Sequence, residues 1–146
     1  ILLALPALAV LACASGGGTT NGGGEDTVED RSTLETLTLG ETWVLRSMRG
    51  VDTMPSSAVP SIQFLTNGRL TGNTSCNQLN GRYELDGIAV DFAGLATTRM
   101  ACEGAPGEME PLFLRTLEAA RFLELGPEFL DLFDGDGARL ARFSRR

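Results

Sequence analysis

The hydropathy pattern of residues 40–146 predicts an α+β fold: a curved antiparallel sheet, forming a partly closed barrel, with one α-helix packed against it. Three observations carry that expectation. Asn67-Gly68 and Asp86-Gly87 each sit between apolar runs, residues 107–121 show helical periodicity, and three short apolar runs follow, separated by Gly-rich turns.

Trp43-Val44-Leu45 opens the series as a first strand, with Trp43 as a large apolar anchor. Ile62-Gln63-Phe64-Leu65, Asn67-Gly68 and Arg69-Leu70-Thr71 read as a hairpin, because an Asn-Gly turn accepts the positive φ that such a connection needs. Arg82 to Leu85 and Ile88 to Phe92 form the second hairpin about Asp86-Gly87. Tyr83 and Leu85, then Ile88, Val90 and Phe92, alternate with polar neighbours as a half-buried strand requires. In the helix, Met109, Leu112, Phe113, Leu117 and Ala120 recur at spacings of three and four and make one apolar stripe. Glu108 and Glu110 near its start and Arg121 at its end match the helix dipole. Pro111 must then lie in the first turn, which sets the start near Glu108. Phe122 to Leu125, Phe129 to Phe133 and Arg139 to Phe143 complete the sheet, divided by Gly126-Pro127 and by Asp134-Gly135-Asp136-Gly137.

Composition narrows the function classes. The 146 residues include no His, and the 12 basic residues are all Arg. Imidazole bases, imidazole metal ligands and every His-containing triad are therefore excluded. A net charge of -7 argues against a nucleic-acid partner, which needs a basic face. Glu108 with Glu110 and Glu124 with Glu128 are the acidic pairs that glycoside hydrolysis could use. The first two do not share a helical face and the second two flank a turn, so both pairs read as solvated surface. Asp134 to Gly137 resembles part of a calcium loop but lacks its distal Glu, and reads as a turn. No metal site, cofactor or catalytic residue is expected, and the chain is expected not to be an enzyme.

The amino-terminal end reads as an address. Ile1 to Ala12 is an uncharged apolar run, shorter than the ~20 residues of a membrane-spanning helix. It ends at a small residue immediately before Cys13 and a Gly-rich segment. Residues 1–12 are expected to be a signal peptide truncated at its start. Val10-Leu11-Ala12-Cys13 looks like a bacterial lipobox, with Cys13 as the lipid acceptor; an ordinary secretory signal is the plainer alternative. Residues 13–39 are then a flexible acidic tether, carrying five acids against Arg31 and few large apolar groups. Two or more acyl chains anchor a protein stably where one does not, so a lipidated Cys13 makes the membrane its first partner. The expected place is the cell envelope. With Ala14 after the cysteine, this is the outer membrane facing the periplasm where the cell has one, and otherwise the outer face of the cell membrane.

Three cysteines are an odd number for an exported chain. With Cys13 lipidated, Cys76 and Cys102 remain and are free to pair in an oxidising compartment. The bridge would tie the loop after the first hairpin to the segment entering the helix and stabilise the fold by roughly 3 kcal/mol. A reactive thiol, or a soft-metal site joining Cys76, Cys102 and Met100, is the alternative.

Trp43-Val44-Leu45, Pro60 to Phe64, Gly72-Asn73-Thr74-Ser75-Cys76-Asn77, Asn80-Gly81-Arg82-Tyr83 and Leu95-Ala96-Thr97-Thr98-Arg99-Met100-Ala101-Cys102 follow one another in a specific order. Together with Glu110, Leu130, Leu132, Leu140 and Phe143, this order resembles the META domain of HslJ-type heat-inducible bacterial lipoproteins across nearly all of residues 40–146. Asn73-Thr74-Ser75 stands where members of that family often have a Gly-rich approach. The resemblance implies an α+β fold, a secreted or lipid-anchored placement, and links to heat stress and novobiocin tolerance in some members. It supplies neither an enzymatic activity nor a ligand. The motif positions it marks are Cys76, Asn77, Asn80, Gly81, Thr97, Thr98 and Cys102, of which Asn77 and Asn80 read as turn-forming residues. The function expected is that of a non-catalytic envelope module presenting a sheet or loop surface to another envelope protein or a small ligand; the alternative is a redox or soft-metal protein.

Overall fold

The computed structural model describes residues 38–146. The expected signal segment, Cys13 and nearly all of the expected tether lie outside the described residues.

Eight antiparallel strands follow one another around a barrel: β1 (Thr42–Met48), β2 (Ser61–Leu65), β3 (Arg69–Asn73), β4 (Gln78–Asp86), β5 (Ala89–Thr97), β6 (Phe122–Leu125), β7 (Phe129–Phe133) and β8 (Arg139–Arg145). The helix α1 (Ala105–Ala119) lies between β5 and β6 in the chain. The barrel is closed, because β8 pairs with β1 from Trp43↔Arg145 to Met48↔Ala141. The expectation of a partly closed sheet is corrected on this point. Closure joins strands nearly a hundred residues apart, and no local pattern encodes that pairing.

Alternation works as period-2 burial requires. Trp43, Leu45, Ile62, Phe64, Leu70 and Leu79 point inward and are buried, as are Tyr83, Leu85, Val90 and Phe92. Eight strands leave an interior that side chains can fill. Phe64 packs edge-on against Tyr83 with ring centroids 4.9 Å apart, and the Tyr83 hydroxyl donates to Leu65 O at 2.9 Å. Met109, Phe113 and Leu117 of α1 join this core, Phe113 lying 6.2 Å from the Phe143 ring.

Three local expectations change. The β4–β5 turn is displaced by one residue: Asp86 pairs with Ala89, so the two-residue loop is Gly87-Ile88. Only Gly87 there takes positive φ (59°), the requirement of a turn with Gly first. Ile88 consequently leaves the sheet and is 48% exposed. The helix begins at Ala105, not near Glu108, because Pro106 occupies the first turn in place of Pro111. Pro111 lies inside the helix but on its exposed side, where the carbonyl it leaves without an amide partner is not forced into the core. Leu112 is also exposed. At the other end, Arg121 Nη1 donates to Glu118 O (2.9 Å) and Ala120 O (2.6 Å), closing the last turn as the dipole favours.

The outer wall of β7 and β8 carries a paired charge. Asp131 accepts from Arg142 Nε (2.8 Å) and Nη2 (2.6 Å), and that hydrogen bonding raises the Arg142 guanidinium above its ordinary pKa. Asp134 to Gly137 forms a turn in which Asp134 Oδ1 accepts from the amides of Asp136 and Ala138.

Candidate functional site

The motif residues converge at one end of β3, β4 and β5. Between Asn73 and Gln78 the chain makes a tight connection. Asn73 Oδ1 accepts from Ser75 N at 2.7 Å, Thr74 N donates to Asn77 O at 2.9 Å, and Asn77 N donates to Thr74 Oγ1 at 3.0 Å. Ser75 sits at φ 88°, a left-handed value that this web of bonds sustains. Thr74 and Asn77 are buried.

Asn77 is the hub. Its Oδ1 accepts from Met100 N at 2.8 Å and from Thr98 Oγ1 at 2.9 Å, while its Nδ2 donates to Met100 O at 3.4 Å. The carboxamide thus engages both the amide and the carbonyl of Met100, reproducing with one side chain the two-bond rung of an antiparallel ladder. It extends the β4–β5 pairing past its end, where Gln78 N donates to Thr98 Oγ1 (3.0 Å) and Thr98 N donates to Gln78 O (3.1 Å). An aspartate could accept at this place but has no amide to donate.

Two residues after Met100, Cys102 forms a disulfide with Cys76, with Cα atoms 6.0 Å apart. A second tie runs to α1: Thr74 Oγ1 lies 2.5 Å from Glu110 Oε2 and 3.1 Å from Asn77 O. The hydroxyl has one proton, and the nearer, charge-assisted acceptor is the carboxylate. The helix start fits tightly beneath, since a Cβ on Gly107 would collide with the Cys102 carbonyl. The β3–β4 connection is therefore fastened to the segment leading into α1 by a covalent bond, and to α1 itself by a hydrogen bond.

Not every motif position joins this cluster. Cys76, Asn77, Thr98 and Cys102 are brought together, and Thr97 pairs with Leu79 beside them. Asn80 and Gly81 lie farther along β4. Asn80 is exposed in mid-strand, opposite Thr71 and Ala96, so it forms no turn. Gly81 sits in the bulge between Asn80 and Arg82, where a Cβ would come within 2.7 Å of Leu95 Cδ2. Asn77 closes a connection through its backbone, but its side chain does not bond locally as a turn former's does. Its partners lie more than twenty residues ahead in the chain. The pairing of Thr74 with Glu110 escapes sequence reasoning because only the folded α1 brings position 110 against position 74.

Chemically, the cluster spends most of its polar groups on itself. The Asn77 carboxamide, the Thr74 and Thr98 hydroxyls and both sulfurs have partners within it, whereas the buried Ser75 hydroxyl has none. Met100 holds its backbone in the cluster although the residue is 63% exposed. Among the described residues no group of three His, Cys, Asp or Glu side chains could hold a metal ion.

Three kinds of comparison place this arrangement. The structure resembles an NMR structure of a protein from Burkholderia xenovorans (24% identity, TM-score 0.64, covering 78% of this chain and 87% of that one). It also resembles a crystal structure of a DUF4847 family protein from Bacteroides vulgatus (15% identity, TM-score 0.58, covering 76% and 96%). At these identities the likeness speaks for the fold alone. No curated protein matches. The family model described as META domain matches residues 35–146, spanning the barrel, its helix and the whole motif cluster, and the chain belongs to the META domain family.

Proposed function

We propose that this META-type module is a non-catalytic component of the cell envelope, held at a membrane by lipid on Cys13, where its barrel presents a binding surface to an envelope protein or small ligand. The observation that carries the reading is the Cys76–Cys102 disulfide together with the inward use of the motif groups. Disulfides persist in oxidising compartments outside the cytosol. Groups already bonded to one another serve as a scaffold and are not available to a substrate. The lipobox-like Val10 to Cys13 supplies the anchor, and a role in stress or antibiotic tolerance follows from the family resemblance.

Mass spectrometry of the mature protein from membranes tests this directly. The expected results are an acylated Cys13, a Cys76–Cys102 bridge without bound metal, and release of a Cys13→Ser variant from the membrane fraction. An unlipidated chain with both inner thiols reduced contradicts the proposal. A soft metal bound by the reduced Cys76 and Cys102 with Met100 establishes the alternative, a redox or metal-binding envelope protein, which the exposure of Met100, whose carbonyl lies 3.7 Å from each sulfur, favours.

A further inference from the structure

β1 and β8 lie side by side and carry four arginines and no carboxylate, in a chain whose net charge is -7. Most arginines on this wall are spoken for. Arg142 and Arg139 approach Asp131 at 2.6 and 3.9 Å, Arg145 approaches Glu41 at 3.9 Å, and the neighbouring Arg49 reaches Asp134 at 2.5 Å. Arg46 and Arg146 have no ion-pair partner among the described residues; Arg46 Nε donates to Ser144 Oγ at 2.5 Å.

These two guanidinium-bearing residues line the same cleft, of about 500 Å³, on the outside of the barrel. Register builds its floor: Val44, Ser61 and Asn73 follow one another across β1, β2 and β3. The connection from β1 to β2 supplies the opposite wall through Ala58 and Val59. Ala58 is held there at φ 52°, one of three non-glycine residues with positive φ among those described. No Asp or Glu lines the cleft, although both arginines also border a neighbouring cleft that Glu128 lines. Asn73 Oδ1 is engaged by Ser75 N, which leaves its amide hydrogens to donate, and the Ser61 hydroxyl adds a further donor.

We propose that this cleft binds a phosphate-bearing ligand. Two guanidiniums with a hydroxyl and a carboxamide offer many donors to a small, multiply charged oxyanion, and guanidinium forks match phosphate oxygens in pairs. Val44, Ala58 and Val59 provide apolar contact for the organic part of a phosphate ester. The inference shares only Asn73 with the motif cluster and does not use the lipid on Cys13, so it stands or falls separately from the proposal above.

The phosphate can belong to a lipid headgroup or to a soluble ester, and the test separates them. The full chain carrying Cys13→Ser, so that acylation contributes nothing, is followed by amide NMR while sn-glycerol 3-phosphate or inorganic phosphate is added. It is also floated with vesicles of phosphatidylglycerol or phosphatidylcholine. Saturable shifts confined to residues near Val44, Ala58, Ser61 and Asn73 are expected, weakened about tenfold by Arg46→Gln and unaffected by Arg115→Gln on α1. Ser61→Ala, which leaves every arginine in place, is expected to weaken them less. Flotation with phosphatidylglycerol alone, lost in Arg46→Gln, assigns the phosphate to a lipid; shifts with the soluble phosphates but no flotation assign it to a soluble ester. Absence of both responses, or equal losses in Arg46→Gln and Arg115→Gln, overturns the site.

Discussion

The two edges of β5 are held by different means. Along one edge it pairs with β4 from Leu79↔Thr97 to Asp86↔Ala89, interrupted only by the bulge at Gly81. Along the other its registered partner is β6 through Ala89↔Phe122 alone, supported by Val90 N to Arg121 O (2.9 Å) and Leu123 N to Ile88 O (2.8 Å). The first edge is closed by backbone, as a hairpin ladder closes. At the second the barrel needs α1, whose Met109, Phe113 and Leu117 complete the core. The motif cluster then acquires a mechanical meaning. The disulfide fixes the segment that leads into α1, and Thr74–Glu110 fixes the helix itself, so this polar end acts as a clamp that keeps the helix against β5.

Breaking the helix contact has the largest expected effect. Phe113→Ala empties a fully buried site and is expected to cost about 3–5 kcal/mol in urea unfolding, whereas Leu112→Ala, exposed one residue away, is expected to change stability by under about 1 kcal/mol. Equal effects would mean that α1 does not close the second edge. Next, replacing Cys76 and Cys102 together by Ser is expected to lower stability by about 3 kcal/mol, the constraint on a 26-residue separation. Smaller again, Asn77→Ala is expected to cost about 1–3 kcal/mol by leaving the Met100 amide and carbonyl without their partner. Asn80→Ala, on the well-laddered side, is expected to stay within about 0.5 kcal/mol, and calorimetry of the pair sharpens the contrast.

What local chemistry specifies is legible in the sequence. Asn67-Gly68 turns with positive φ at both residues, and Tyr83, Leu85, Val90 and Phe92 are buried as their alternation requires. The misses share a cause. At Gly87-Ile88 two turn types compete for nearly the same dipeptide, and tertiary register decides between them. At the helix start, Pro106 and Pro111 both offer a first-turn proline, and the core contact of Met109 favours the earlier one. Barrel closure, the reach of Asn77 to Met100 and the meeting of Thr74 with Glu110 are all nonlocal, and none leaves a periodic trace. That Arg46 lacks an ion pair and shares a cleft with Arg146 likewise depends on strand order.

Hydrogen exchange of the full chain, oxidised and then reduced, tests the clamp most directly, because local opening reports which elements lose their support. Reduction is expected to remove protection from α1 and from the neighbouring amides of β5 and β6, while the β1–β8 ladder keeps its own. Protection lost evenly around the barrel, or unchanged in α1, would contradict the clamp.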